Sequence, residues 1–65
     1  MVPAKREILI EFVVQGNAVK VTALDSVTGI EASIVGPATA PRAPLADAAA
    51  RKLKYVLEKN KGERP

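Results

Sequence analysis

The chain has 65 residues with no Cys and no His, and its ten Lys and Arg against seven Asp and Glu give a formal charge of +3. A chain this short makes one domain at most and buries only about 60% of the surface its unfolded form exposes; with disulfides and His- or Cys-bound metals excluded by composition, self-association is the support left to it. The same absences remove the commonest general base and the usual zinc ligands, and apolar runs such as Ile8 to Ile10 are far short of the roughly 20 residues of a membrane span, so a cytoplasmic protein that is no enzyme and takes no cofactor or metal is expected.

Residues 1–6, with Pro3, Lys5 and Arg6, have little to bury and read as a flexible lead-in. The stretch from Ile8 to Gln15 then alternates: Ile8, Ile10, Phe12 and Val14 point one way, Leu9, Glu11, Val13 and Gln15 the other. Gly16-Asn17 is a two-residue hairpin signal, because the turn needs positive φ to match the twist of the strands. Closing the hairpin there sets Val14 opposite Val19, Phe12 opposite Val21 and Ile10 opposite Ala23, with Val13 on Lys20, Glu11 on Thr22 and Leu9 on Leu24 behind them.

The second strand-like run, Ala18 to Leu24, ends at Asp25-Ser26-Val27-Thr28-Gly29, where the Asp carboxylate can cap the turn and Gly29 supplies its left-handed residue. The third run, Ile30 to Val35, then sets Ala32 against Ala23, Ile34 against Val21, Ser33 against Thr22 and Val35 against Lys20. A slip of one residue would turn a whole strand inside out, so agreement of both turns with the face pattern fixes the register. Gly36-Pro37 reads as the end of the third strand and Ala38 to Ala43 as a crossover. With Pro44 at its first position, a helix is expected from Pro44 to Lys59, stopping before Gly62. Its apolar stripe is Leu45, Ala46, Ala49, Ala50, Leu53, Val56 and Leu57. The fold expected is α+β: a three-stranded antiparallel meander, order 1-2-3, with one C-terminal helix on one face, spanning residues 7–60 and followed by a disordered tail over 61–65.

The inner face of this sheet is wholly apolar and takes the helix, yet one helix covers only a strip of about 10 Å, so part of the face is left over. The outer face mixes Leu9, Val13, Leu24 and Val35 with Glu11, Gln15, Lys20, Thr22, Glu31 and Ser33. A homodimer is expected, joined through this outer face or by pairing of an edge strand, and the same surfaces suit a protein partner. From Arg42 onward basic residues outnumber acidic ones, which makes Arg42, Arg51, Lys52, Lys54, Lys59 and Lys61 candidate contacts for an anionic partner. The carboxylates are scattered: Glu11 and Glu31 share a face but sit on opposite edges, so no acid pair is expected. Gly36-Pro37-Ala38-Thr39 has the smallness of a ligand loop but is explained by the crossover, and Phe12 and Tyr55, the two aromatics, are too few to stack nucleic-acid bases.

The order of Phe12-Val13, Val19-Lys20-Val21-Thr22-Ala23, Ser33-Ile34-Val35-Gly36-Pro37-Ala38, Ala40-Pro41-Arg42-Ala43 and Arg51-Lys52-Leu53-Lys54-Tyr55 resembles a family of small alphaproteobacterial proteins of unknown function. That resemblance spans residues 7–59 and implies no activity. The three strands followed by Ala48-Ala49-Ala50-Arg51-Lys52-Leu53 are also similar to the C-terminal part of a double-stranded-RNA-binding domain. There the start of the helix reads phosphates; here it offers Arg42 alone and lacks the preceding helix. The expected function is a non-enzymatic interaction module that docks a protein; the alternative is weak nucleic-acid binding through the basic helix.

Overall fold

Two glycines with left-handed backbone set both turns of the sheet: Gly16 at φ 60° and Gly29 at φ 77°. In the computed structural model, which describes residues 6–62 and side chains as far as residue 60, these turns join β1 (Ile8–Gln15) to β2 (Ala18–Asp25) and β2 to β3 (Glu31–Pro37). Positive φ at Gly16 without positive φ at Asn17 is the pattern of a type II′ hairpin turn. The strands form one antiparallel sheet in the order β1-β2-β3. Every cross-strand pair expected from the sequence is present, from Val14 on Val19 to Leu9 on Leu24 in the first ladder and from Ala23 on Ala32 to Lys20 on Val35 in the second.

Helix α1 (Arg42–Gly62) returns across the inner face. Its stripe works as the spacing requires: Ala49 and Leu53 are fully buried against Val19, Val21, Ala23 and Ala32, with Leu45, Val56 and Leu57 packed around them. Small residues share the centre of this cluster, Ala49 from the helix and Ala23 and Ala32 from the sheet, while Leu53 is the largest apolar side chain with no exposure.

β2 runs one residue further than expected, to Asp25, and β3 starts one residue later, at Glu31; three other boundaries also differ from the sequence expectation. β3 does not stop at Gly36-Pro37 but continues through them, with Pro37 opposite Ala18. Proline is tolerated there because β3 is an edge strand and residue 37 would point its amide away from β2. The helix begins at Arg42 instead of Pro44; Pro44 still lies in the first turn, whose amides have no intrahelical acceptor, so the ring costs no hydrogen bond. At the other end α1 runs past Lys59 through Gly62, since a glycine costs only about 1 kcal/mol even in a helix interior and does not forbid a further turn. Helix therefore occupies residues 61 and 62 of the segment expected to be a disordered tail; residues 63–65 and most of the lead-in, residues 1–5, lie outside the described residues.

The helix is also off-centre. It packs on β2 and β3 and barely reaches β1, so the inner face is not covered evenly. Ile10 and Phe12 are half-buried, whereas Ile8 and Val14, which strand parity places in the core, are 42% and 55% exposed. The uncovered remainder of the apolar face is thus one strip, and it lies on β1.

Candidate docking site at the first strand

The hydrogen-bonding phase of the sheet decides which backbone groups of β1 are free. Ser26 donates its amide to the Glu7 carbonyl at 3.0 Å, and in an antiparallel ladder bonded and unbonded residues alternate. With the register of β1 on β2, residues 9, 11, 13 and 15 are therefore turned toward β2. Ile8, Ile10, Phe12 and Val14 turn their amides and carbonyls outward. The residues with free backbone groups are the same four whose side chains form the apolar strip on β1, Ile8 and Val14 exposed and Ile10 and Phe12 half-buried between them. Backbone and side-chain valence are left open on the same residues.

The other edge is treated differently. By the same alternation Ser33 faces outward on β3, and Lys52 of α1 reaches over it to donate to its carbonyl at 2.8 Å. Pro37 removes the outward amide at the end of that strand. Lysine and proline at an edge are recognised guards against pairing with another chain; β3 carries both, and β1 carries neither.

Between α1 and the start of β1 lies a groove of about 580 Å³, within the range of ligand-sized clefts. Ile8, Ala50 and Leu57 make its apolar lining and Arg6, Arg51 and Lys54 its cationic rim, with Asp47 as the one carboxylate. Residues 47, 50, 51, 54 and 57 recur at helical spacing, so they present one face of α1 to β1. At the far end of the strip the Arg42 guanidinium stacks over the Phe12 ring, 4.8 Å from its centroid, and adds to the partial cover of that half-buried aromatic.

The floor of this groove is fixed by a turn. Asp25 follows the inner-face parity of β2 and is fully buried. Its Oδ2 accepts from the Thr28 amide at 3.0 Å and the Thr28 hydroxyl at 2.6 Å, and Thr28 Oγ1 accepts in turn from the Ile30 amide. Arg6 Nε lies 3.0 Å from Oδ1, which accepts no directed hydrogen bond from the described residues. The Thr28 hydroxyl bond above all, then the Thr28 amide, the Arg6 charge and the Val27 amide, hold the carboxyl below its usual 3.8 against the opposing effect of desolvation. Ser26 completes the tie by accepting the Glu7 amide at 2.9 Å. The network anchors Arg6 and Glu7, and with them the start of β1, to the β2-β3 turn. The Asp cap was legible in the sequence; the Arg6 partnership was not, because it joins residues 19 apart through a register that only the folded sheet supplies.

The other candidate residues fall into separate places. On the outer face Leu9 and Leu24 are neighbours, as are Val13, Lys20 and Val35. A polar row of Glu11, Thr22 and Ser33 lies between the two groups, its Thr22 and Ser33 hydroxyls 2.8 Å apart. Leu9, Val13 and Val35 are exposed, but the face is two small apolar patches and not one. The basic residues also diverge: Arg42 sits on Phe12, Lys52 on the β3 edge, and Lys59 over Tyr55 at 6.0 Å. Of the cations singled out on the helix, Arg51 and Lys54 share the groove; the side chain of Lys61 lies outside those described. Among the described residues no cluster of acids could hold a metal ion, and no helix is long and apolar enough to cross a membrane.

A family described as a domain of unknown function (DUF6898) matches residues 5–60. No curated protein and no solved structure matches the chain.

Proposed function

The chain belongs to the DUF6898 family, and we propose that it is a non-enzymatic interaction module whose β1 edge pairs with the β1 edge of a second copy. The observation that carries this reading is the contrast between the two edges. β3 is guarded by Lys52 and Pro37, while β1 presents free backbone groups on Ile8, Ile10, Phe12 and Val14 together with the exposed side chains of Ile8 and Val14. Two-fold pairing satisfies those groups and sets the two strips side by side, which supplies support that a domain of this length lacks on its own.

Charge selects the register. Pairing centred on residue 11 would set Glu11 against its own copy, a destabilising like-charge pair. Centred on Phe12, the same bonding phase sets Phe12 on Phe12, Ile10 on Val14 and Glu11 on Val13 of the second copy. Through the six-stranded sheet so formed the module would dock a cytoplasmic protein partner. The competing reading, phosphate binding by the basic helix, starts from the partial sequence likeness to the C-terminal part of a double-stranded-RNA-binding domain and from the charge of +3, but the divergence of Arg42, Lys52 and Lys59 gives it no single surface.

Sedimentation equilibrium of the chain and of Val14→Pro tests the reading. Residue 14 is exposed and turns its amide outward, so proline there removes an edge donor without breaking the bond to β2. A salt-insensitive dimer that Val14→Pro converts to monomer is the expected result. A parent chain that stays at 6.9 kDa at several hundred micromolar, or a dimer indifferent to Val14→Pro, would overturn it.

A further inference from the structure

We infer that the paired domain forms a trough between its two helices that receives an acidic amphipathic helix of a partner protein; this rests on the β1 pairing proposed above. The geometry follows from the off-centre seat of α1. Because each helix lies over β2 and β3, pairing of β1 with its copy places the two helix axes four strand spacings apart, about 19 Å at about 4.8 Å per spacing. Packed helices stand about 8–10 Å apart. The two copies of α1 therefore cannot touch across the new sheet, and the space between them is the width of one further helix, about 10 Å.

What lines that space defines the occupant. Its floor is the apolar strip of Ile8, Ile10, Phe12 and Val14 from both copies, of which Ile8 and Val14 are already exposed in each. Its walls are the groove faces of the two helices, with Arg51 and Lys54 on each, and the rim carries Arg6 against a lone Asp47. Arg42 adds a further cation over Phe12. An apolar floor between two cationic walls is complementary to a helix with one apolar face and acidic residues on both flanks. A strand is a poor fit, since both β1 edges are consumed by pairing. An eight-residue strand at about 3.3 Å per residue gives a trough about 26 Å long, which a helix of roughly 17 residues fills at about 1.5 Å per residue.

The test uses a fluorescein-labelled 18-residue peptide with Leu at helical spacing on one face and Glu on both flanks, a counterpart with Lys in place of Glu, and a labelled RNA duplex. Fluorescence anisotropy is read on the full chain, with its sedimentation measured in the same solutions. The expected result is saturable binding of the Glu peptide by the dimer and none of the Lys peptide. Binding should fall at least tenfold in the doubly substituted Arg51→Glu, Lys54→Glu chain, and by as much in monomeric Val14→Pro. Lys59→Glu, on the far side of the helix beside Tyr55, should leave it unchanged. A dimer that ignores the Glu peptide, binds the Lys peptide equally, or prefers the duplex overturns the trough and leaves the pairing standing. A monomeric parent chain overturns both, and undiminished binding by monomeric Val14→Pro overturns the shared trough alone.

Discussion

Leu45 occupies the space that a side chain at Gly36 would need: a Cβ there would lie 2.8 Å from Leu45 Cδ2. The first turn of α1 is thus seated in a gap in β3, and the gap explains a glycine inside a strand. Two opposing terms act on Gly36→Ala. Alanine restricts the unfolded chain and suits a strand better, by about 0.5–1 kcal/mol, while displacing Leu45 costs about 1–3 kcal/mol. Gly36→Ala alone is expected to destabilise. In a Leu45→Ala background, with the obstruction gone, the same substitution should turn stabilising by about 0.5 kcal/mol or more. Urea denaturation of the four chains in a double-mutant cycle reads this sign change directly, and additivity would show that the two residues do not meet.

Asp25 makes the fold sensitive to acid in one direction. Its folded-state pKa lies below the usual 3.8, held there chiefly by the Thr28 hydroxyl. In the interval between that lowered value and about 3.8 the unfolded chain binds the proton that the folded chain refuses, so stability rises with pH across it. The contribution is full above the unfolded value and is lost as pH falls through the folded one. Asp25→Asn lacks this component. The difference in urea midpoint between the parent chain and Asp25→Asn should be largest at pH 5–7 and shrink steadily below about pH 3.8. A difference that stays constant down to pH 2 would mean that the Thr28 and Arg6 contacts do not favour the charged form.

Much of the architecture was legible because two independent signals met. Gly16-Asn17 and the Asp25 to Gly29 turn each fix a register, and both registers put apolar residues on one face; chance agreement is improbable when a single slip inverts a strand. That the inner face exceeds the width of one helix was also legible. The side left bare was not: the Cβ-free gap at Gly36 and the small trio Ala23, Ala32 and Ala49 draw the helix toward β3, and this choice depends on three-dimensional fit. Strand parity therefore placed Ile8 and Val14 in a core that the helix does not close. The guard on β3 was not legible for a similar reason, since in sequence Lys52 is like any solvent-facing helix lysine, and only the fold brings it to the Ser33 carbonyl.

Leu53 is the point on which helix and sheet depend. It has no exposure and sits in the cluster with Val21, Ala23 and Ala32. Truncation to alanine removes about 2–5 kcal/mol through lost transfer energy and the cavity left behind. A core of this size supplies only about 3–5 kcal/mol in total, so Leu53→Ala should be largely unfolded at 25 °C at low micromolar concentration. Circular dichroism across a concentration series checks this, with helical signal returning as association pulls the equilibrium toward the folded form. A loss below about 1 kcal/mol would mean that the helix is not seated on the sheet through this residue.

Lys52 can be separated from stability because it is exposed and makes one described hydrogen bond, to Ser33. Lys52→Ala should change the urea midpoint by no more than about 0.5 kcal/mol, as surface substitutions do. Its effect belongs to assembly. With the amine gone, the Ser33 carbonyl is free, and the outward groups of residues 31, 33 and 35, short of Pro37 at the strand's end, become a second open edge beside β1. A chain with two open edges has no closed stopping point: pairing of β1 with β1 and of β3 with β3 alternates into a linear array. Sedimentation velocity of Lys52→Ala should therefore show species larger than a dimer, growing with concentration. The Val14→Pro, Lys52→Ala chain, blocked at β1, should stop at a dimer joined through β3. Lys52→Arg, which keeps a donor within reach of the same carbonyl, should behave as the parent. If Lys52→Ala sediments like the parent chain at all concentrations, the bulk of α1 alone shields β3, and the asymmetry between the two edges owes nothing to the lysine.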